Sequence, residues 1–185
     1  MGKQLTLILG GARSGKSDFA QSLARARGGD EVTFVATARA LDAEMDARIE
    51  NHRRARPVSW KTVQTPRGLA GELQTAPAAG VVVLDCVTLW VSNVMLVEET
   101  AAPDAMAREL NDLLVWYRAA PCEMIVVSNE VGMGLVPDNA LGRAYRDLLG
   151  AMNKLLAAAA DQVFFVVAGL PIEIKAGAAR GEDLG

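Results

Sequence analysis

The chain has 185 residues, 51% hydrophobic and 22% charged, with a formal net charge of −3. That length and composition suit one globular domain with a sizeable core. A near-balanced charge without a basic or acidic tail, and only 5% aromatic residues, offer neither an electrostatic track nor a stacking platform, so nucleic-acid binding is not expected as the main task. The two cysteines, Cys86 and Cys122, make neither a disulfide framework nor a zinc ligand set, and a reduced, cytoplasmic setting is expected. The apolar run after Lys3 is too short for a secretory signal. VFFVVAGL falls far short of the ~20 residues a bilayer span needs.

In chain order, QLTLIL reads as a first strand buried on both faces. It runs into Gly10-x-x-x-x-Gly15-Lys16-Ser17, the Walker A pattern. Each residue type has a physical reason. Gly10, Gly11 and Gly15 let backbone N–H groups curl around phosphate oxygens. Lys16 brings a mobile cation to the outer phosphates, and the Ser17 hydroxyl can ligate Mg²⁺. The helix predicted over Lys16–Arg27 points its positive end at the anion, with Phe19, Ala20, Leu23 and Ala24 as its apolar face. A chance glycine-rich turn is the alternative. The strand before and the helix after are the context the motif requires, and they favour a nucleotide phosphate site over Gly10, Gly11, Ala12, Arg13, Ser14, Gly15, Lys16 and Ser17.

EVTFVAT reads as a second strand, followed by a helix over Asp42–Arg54 that stops before Pro57. Asp42 can cap it, and Met45 and Ile49 form an apolar pair four residues apart. His52, the sole histidine, follows Ile49 by three residues and so projects near that stripe. Arg48, Arg53, Arg54 and Arg56 surround it, residues able to bind a polyphosphate. A neutral imidazole nitrogen is what attack on phosphorus requires. A hydrogen-bonded structural histidine beside a solvated arginine face explains the same residues, and from them alone the two readings stand equally open.

TAPAAG at Thr75–Gly80 reads as a loop into a third strand, VVVLD. Asp85 at its carboxyl end can hold Mg²⁺ opposite Ser17 in the manner of a Walker B acid. Alone it could equally cap the next helix, Val87–Val97; with Walker A present the metal role is favoured. A helix over Asp104–Arg118, the strand EMIVVS, a helix over Asp138–Ala160 and the strand QVFFVVA complete the alternation. Between the strand EMIVVS and the helix that follows it lies SNEVGMGLVPDN. It reads either as an ordinary loop with an Asp or Asn cap, or as a substrate-facing loop with Asn129 and Glu130 as polar contacts. It lacks the Asn-Lys-x-Asp base reader of regulatory GTPases. Trp60, Trp90 and Trp116 are expected in the core or at an interface.

GGARSGKS, ATARALDAEMDARIENHRRARPVSW, VVVLDCVTLWVSN and the segment from VSNEVGMG to VVAGLP together resemble the bifunctional adenosylcobinamide kinase/adenosylcobinamide-phosphate guanylyltransferase family, over about Leu5 to Lys175. The resemblance implies that the histidine of the RI-x-x-H-x-x-x-RP context, here His52, attacks the α-phosphorus of GTP. The GMP is then passed to adenosylcobinamide phosphate, giving adenosylcobinamide-GDP. The same family phosphorylates the aminopropanol hydroxyl of adenosylcobinamide. The resemblance further implies nucleotide contacts from Thr37, Ala38 and Arg39, and from Arg54, Ala55, Arg56 and Pro57 beside His52. Asp85 stands at the family's acidic Walker B position. In the family pattern a glutamate often stands where this chain has Gln64. A carboxylate accepts from the guanine N1–H and 2-amino edge, whereas an amide offers one acceptor and one donor. Guanine preference is thus less directly implied than the phosphate chemistry.

The expected fold is α/β, a P-loop NTPase-type, mostly parallel sheet with helices on both faces, RecA-like, over residues 1–175. Residues 176–185 are expected to form a flexible tail. The expected partners are Mg²⁺, GTP or ATP, adenosylcobinamide and adenosylcobinamide phosphate, with no nucleic acid, no membrane span, and a homo-oligomer implied by the resemblance. A plain small-molecule P-loop kinase with a structural His52 is the alternative enzyme. A regulatory NTP switch is the alternative from another class.

Overall fold

The apolar runs of the sequence lie side by side as the interior of one sheet. The structure, a computed structural model, describes residues 3–39, 43–54, 56–76 and 79–175. Its elements are β1 (Leu5–Gly10), α1 (Lys16–Gly28), β2 (Val32–Ala36), α2 (Ala43–Arg54), β3 (Lys61–Gln64), α3 (Leu69–Thr75), β4 (Val81–Asp85), α4 (Val87–Glu98), a 3-10 turn at Glu99–Ala101, α5 (Ala102–Ala119), β5 (Glu123–Val127), α6 (Ala140–Ala159), β6 (Gln162–Val167) and β7 (Leu170–Lys175). Among the described residues the strands make one seven-stranded sheet, ordered β3-β2-β4-β5-β1-β6-β7. All pairings are parallel except β6 with β7.

Side chains alternate between two cores, as the two-residue period of a strand demands. Leu5, Leu7, Leu84, Met124 and Val126 face the core shared with α3, α4, α5 and α6. Ile8, Phe34, Val83, Ile125 and Val127 face the opposite core, closed by Ala20 and Ala24 of α1. Helices on both faces are therefore as expected. Burying each large side chain such as Ile8 or Leu149, both 0% exposed, contributes about 1.5–3 kcal/mol. Helix α1 starts at the carboxyl edge of the sheet and is pinned at the amino edge. There Arg27 donates to Thr6 Oγ1 at 3.0 Å, Glu123 Oε2 at 3.2 Å and Gln162 Oε1 at 2.9 Å.

Besides the 3-10 turn, the structure adds three elements to those anticipated: β3, α3 and β7. All three are short. β3 is mostly exposed at one sheet edge and β7 at the other, so neither shows the continuous apolar run of an interior strand. Helix α3 has seven residues, and its seat is the buried pair Leu69 and Leu73. Helix α6 begins at Ala140, two residues later than anticipated, because Asn139 takes the cap by accepting from Gly142 N at 2.7 Å. Asp42 and the tail 176–185 lie outside the described residues. Trp60 and Trp90 are core residues whose indole N–H groups reach Gly29 O (2.9 Å) and Glu109 Oε2 (2.7 Å), and Trp116 packs against the main core. Among the described residues no helix is long and apolar enough to cross a membrane.

Candidate functional site

The strand order decides where the chemistry gathers. β5 lies between β1 and β4, so the phosphate loop after β1 and Asp85 at the end of β4 flank the residues that follow β5. A cavity of about 630 Å³ opens at this carboxyl edge, where open α/β sheets place their ligands.

Its floor is the loop from Ala12 to Ser17. Gly10 must be glycine, because a Cβ there would stand 2.5 Å from Val166 O and 2.7 Å from Ser14 Oγ. Gly15 caps α1 with φ 93° and no side-chain hydrogen bond, leaving the first N–H groups of the helix open to an anion. The turn between β6 and β7 braces the loop, with Gly169 N donating to Ser14 O at 2.9 Å. Lys16 is folded back over the loop, its Nζ donating to Gly11 O at 2.5 Å and to Ser14 Oγ at 3.4 Å. Burial lowers its pKa, opposed by the charges of Cys86 and Asp85. A polyphosphate would give this cation a stronger partner than a neutral carbonyl.

Opposite stands Asp85, with Ser17 on the same cavity wall. Burial pushes its carboxyl above the ordinary range, despite the opposing influence of the Ser17 hydroxyl and of the charges of His52, Lys16 and Arg56. Hard oxygen donors from a serine and an aspartate suit Mg²⁺, which commonly takes one or two carboxylates and completes its shell with phosphate oxygens and water. Among the described residues no group of three or more His, Cys, Asp or Glu could hold a metal by itself.

The raised pKa has a sign. A carboxyl with a folded pKa above its unfolded value adds stability while protonated, below about pH 4, and loses it as pH rises through the folded value. At neutral pH the Asp85 charge therefore opposes folding. Asp85→Asn is expected to raise the Tm at pH 7, by about 2–4 °C per kcal/mol relieved, with the gain vanishing in acid. Thermal scans from pH 4 to pH 8 check this; an equal or lower Tm at pH 7 would contradict it.

His52 lies on the cavity wall with Ile49, one turn before it on α2. Its side chain is exposed, so it faces the open cavity and not the core. The arginines around it separate in role. Arg56 is 8% exposed, stacks 3.9 Å over the Phe34 ring, and donates from Nε to His52 O at 2.8 Å and from Nη1 to Thr62 Oγ1 at 3.3 Å. It thus ties the last turn of α2 to β2 and β3 while lining the cavity. Arg54 is exposed and pairs with Glu50 at 2.9 Å. Arg56→Ala is expected to cost about 1–3 kcal/mol, whereas Arg54→Ala stays within about 0.5 kcal/mol; denaturant unfolding of the two variants gives the comparison.

Of the other residues singled out by sequence, Ala38 lines the cavity. Thr37 is fully buried: its hydroxyl donates to Cys86 O at 2.7 Å and accepts from Cys86 N at 2.9 Å, latching β2 to the end of β4. Arg39 is exposed. Pro57 accepts from Trp60 N at 3.1 Å. Gln64 is exposed at the end of β3, its Nε2 3.4 Å from Ala38 O. None of these four or Arg54 is part of the cavity wall, and Ala55 lies outside the described residues.

The wall also contains Cys86, Thr88, Leu89 and Asn129. Of these, only Asn129 carried a signal in the sequence, as a polar residue ending an interior strand. It is held from both sides: its N–H donates to Thr88 Oγ1 at 3.0 Å and its carbonyl accepts from Asn153 Nδ2 at 3.0 Å. Ser128, fully buried, donates to Asn153 Oδ1 at 2.6 Å. Thr88 and Leu89 reach the cavity because α4 starts beside Asp85. Spacing alone does not foretell that.

A family model described as cobinamide kinase / cobinamide phosphate guanyltransferase matches residues 6–174. The chain is 43% identical over 170 residues to the bifunctional adenosylcobalamin biosynthesis protein CobP of Pseudomonas aeruginosa, covering 91% of this chain and 96% of that protein. It is 39% identical over 185 residues to the bifunctional adenosylcobalamin biosynthesis protein CobU of Salmonella typhimurium, covering 92% of this chain and 99% of that one. Among solved structures, the RadB recombinase superposes with a TM-score of 0.51 at 17% identity, over 88% of this chain and 73% of RadB. That likeness concerns the fold alone, which is of the RecA-like P-loop type.

Proposed function

The chain belongs to the cobinamide kinase / cobinamide phosphate guanyltransferase family, and from that membership we propose a two-step activity with His52 as its covalent centre. In the first step the aminopropanol hydroxyl of adenosylcobinamide attacks the γ-phosphorus of ATP or GTP; the hydroxyl loses its proton and the nucleoside diphosphate leaves. In the second, an imidazole nitrogen of His52 bonds to the α-phosphorus of GTP as pyrophosphate departs. A phosphate oxygen of adenosylcobinamide phosphate then displaces the imidazole, forming the diphosphate linkage of adenosylcobinamide-GDP.

The observation that carries this reading is the meeting of the phosphate loop, Asp85 and His52 on one cavity. The N–H groups at the start of α1 and Lys16 would bind phosphate oxygens. Arg56 would hold the His52 turn in place, and Asn129 would contact the transferring group or its water. Ser17 and Asp85 would hold Mg²⁺, which when bound offsets phosphate charge. Thr37, Arg39, Arg54, Ala55, Pro57 and Gln64 are left as candidate nucleotide contacts that a bound nucleotide would have to recruit. A reduced cytoplasmic setting accords with Cys86 and Cys122 as free thiols. The uncovered apolar residues Leu170, Ile172 and Ile174 of β7 accord with an oligomer.

The test is direct. Protein incubated with Mg²⁺ and GTP labelled on the α-phosphate, then denatured, is expected to retain label that is acid-labile and alkali-stable, as a P–N bond is. Absence of that label, alongside transfer of a γ-phosphate to adenosylcobinamide, would leave a plain kinase.

A further inference from the structure

The segment after β5 carries a concentration of exposed apolar side chains: Met133 is 80% exposed, Leu135 96%, Val136 66% and Leu141 68%. It adjoins the nucleotide cavity. Asn129 lines that cavity, Glu130 N donates to Gly10 O at 3.0 Å, and the Tyr145 hydroxyl donates to the carbonyl of Thr88, another wall residue, at 3.2 Å.

The segment is also braced. Gly132 N donates to Glu130 Oε1 at 2.6 Å, and Arg143 donates to Pro137 O at 3.0 Å and Asp138 O at 2.9 Å. Val131 and Tyr145 pack beneath it on the main core. A loop held this firmly with its apolar side chains in water has forgone burying them, which singly would be unremarkable but as a cluster marks a binding surface.

We propose that residues Met133 to Leu141 form the docking surface for the corrin ring of the acceptor substrate. The inference rests on the two-step reading above. A cavity of about 630 Å³ is of the size that encloses one small ligand, and the nucleoside triphosphate takes it. The acceptor must bring its hydroxyl or phosphate to the same cavity while its macrocycle stays outside, against the rim. A corrinoid presents a broad, methyl-bearing ring edge with neutral amide arms. Apolar side chains on a pre-ordered loop whose one charged residue is Asp138 suit that surface, and the polar groups of its backbone can meet the arms. The surface is continuous with the cavity through Asn129 and Glu130, so a ring seated there keeps its phosphorylated arm within reach of the phosphate loop.

The test uses full-length protein, adenosylcobinamide followed by its visible absorbance in equilibrium dialysis, and GTP binding measured in parallel. The double variant Leu135→Ser/Leu141→Ser is expected to bind adenosylcobinamide at least roughly tenfold more weakly, with GTP affinity and the protein-bound guanylyl label unchanged. Val115→Ser removes an apolar side chain that is 53% exposed on α5, outside the cavity wall, and is expected to behave as wild type. Corrinoid affinity unchanged in the double variant would overturn the docking surface and leave the two-step reading standing. A change in oligomeric mass in the double variant would assign this face to a second copy of the chain and overturn the proposal. Wild-type protein that binds GTP but no adenosylcobinamide would overturn the proposed function itself.

Discussion

His52→Ala is expected to abolish the protein-bound guanylyl label and to lower guanylyl transfer at least about 10³-fold, as loss of a covalent nucleophile does. Phosphorylation of adenosylcobinamide, in which no bond to imidazole forms, is expected to fall far less. The split is the informative part. A histidine that merely packed or bound phosphate would lower both activities together, or change KM with kcat intact. The side chain is exposed on the cavity wall, so its removal leaves no hole in the core and the fold should survive. Survival of the acid-labile label in the variant would remove His52 as the nucleophile.

Lys16→Met is expected to lower both activities, each by about 10²–10³-fold, because both steps build negative charge on oxygens of the same triphosphate. Its stability should move in the other direction or not at all. Burial holds the Lys16 pKa below its ordinary value, so in the folded state the charged form is disfavoured, and the cation opposes folding at all pH values below its folded pKa. Methionine keeps the apolar stem and removes that cost. Loss of both activities with an unchanged or raised Tm at pH 7 identifies a charge kept for chemistry. A Tm lowered in step with activity would identify Lys16 as structural.

These two residues were legible to different degrees. Lys16 could be read from spacing, because a loop that wraps phosphate needs glycines at fixed intervals and a cation at its end, all within eight consecutive residues. His52 could not, since an arginine-rich helix end suits a solvated surface as well as a nucleotide. The family resemblance implies the nucleophile, and the match over residues 6–174 shows the family.

The arginines show where local reading stops. Arg54 and Arg56 are equivalent as letters, yet one lies in solvent beside Glu50 and the other is buried over Phe34. Which way each points depends on the turn that follows α2 and on β2 beneath it, and both are long-range consequences of sheet assembly. Thr37, implied as a nucleotide contact by the resemblance, holds the backbone of Cys86 through its hydroxyl, a pairing that no local window of sequence shows.

By itself the sequence determined the interior strands, the principal helices, the phosphate loop and the acid at Asp85. Those features are encoded by local physics: apolar runs that must be buried, helical periodicity, and glycines where a Cβ cannot fit. Only the tertiary structure decided that β5 inserts between β1 and β4, which brings Asn129 to the cavity beside Asp85 and the phosphate loop. Only it decided that β3 and β7 close the sheet. Strand order and edge pairing are set by backbone hydrogen bonds and packing between segments distant in the chain, and no window of sequence contains both partners.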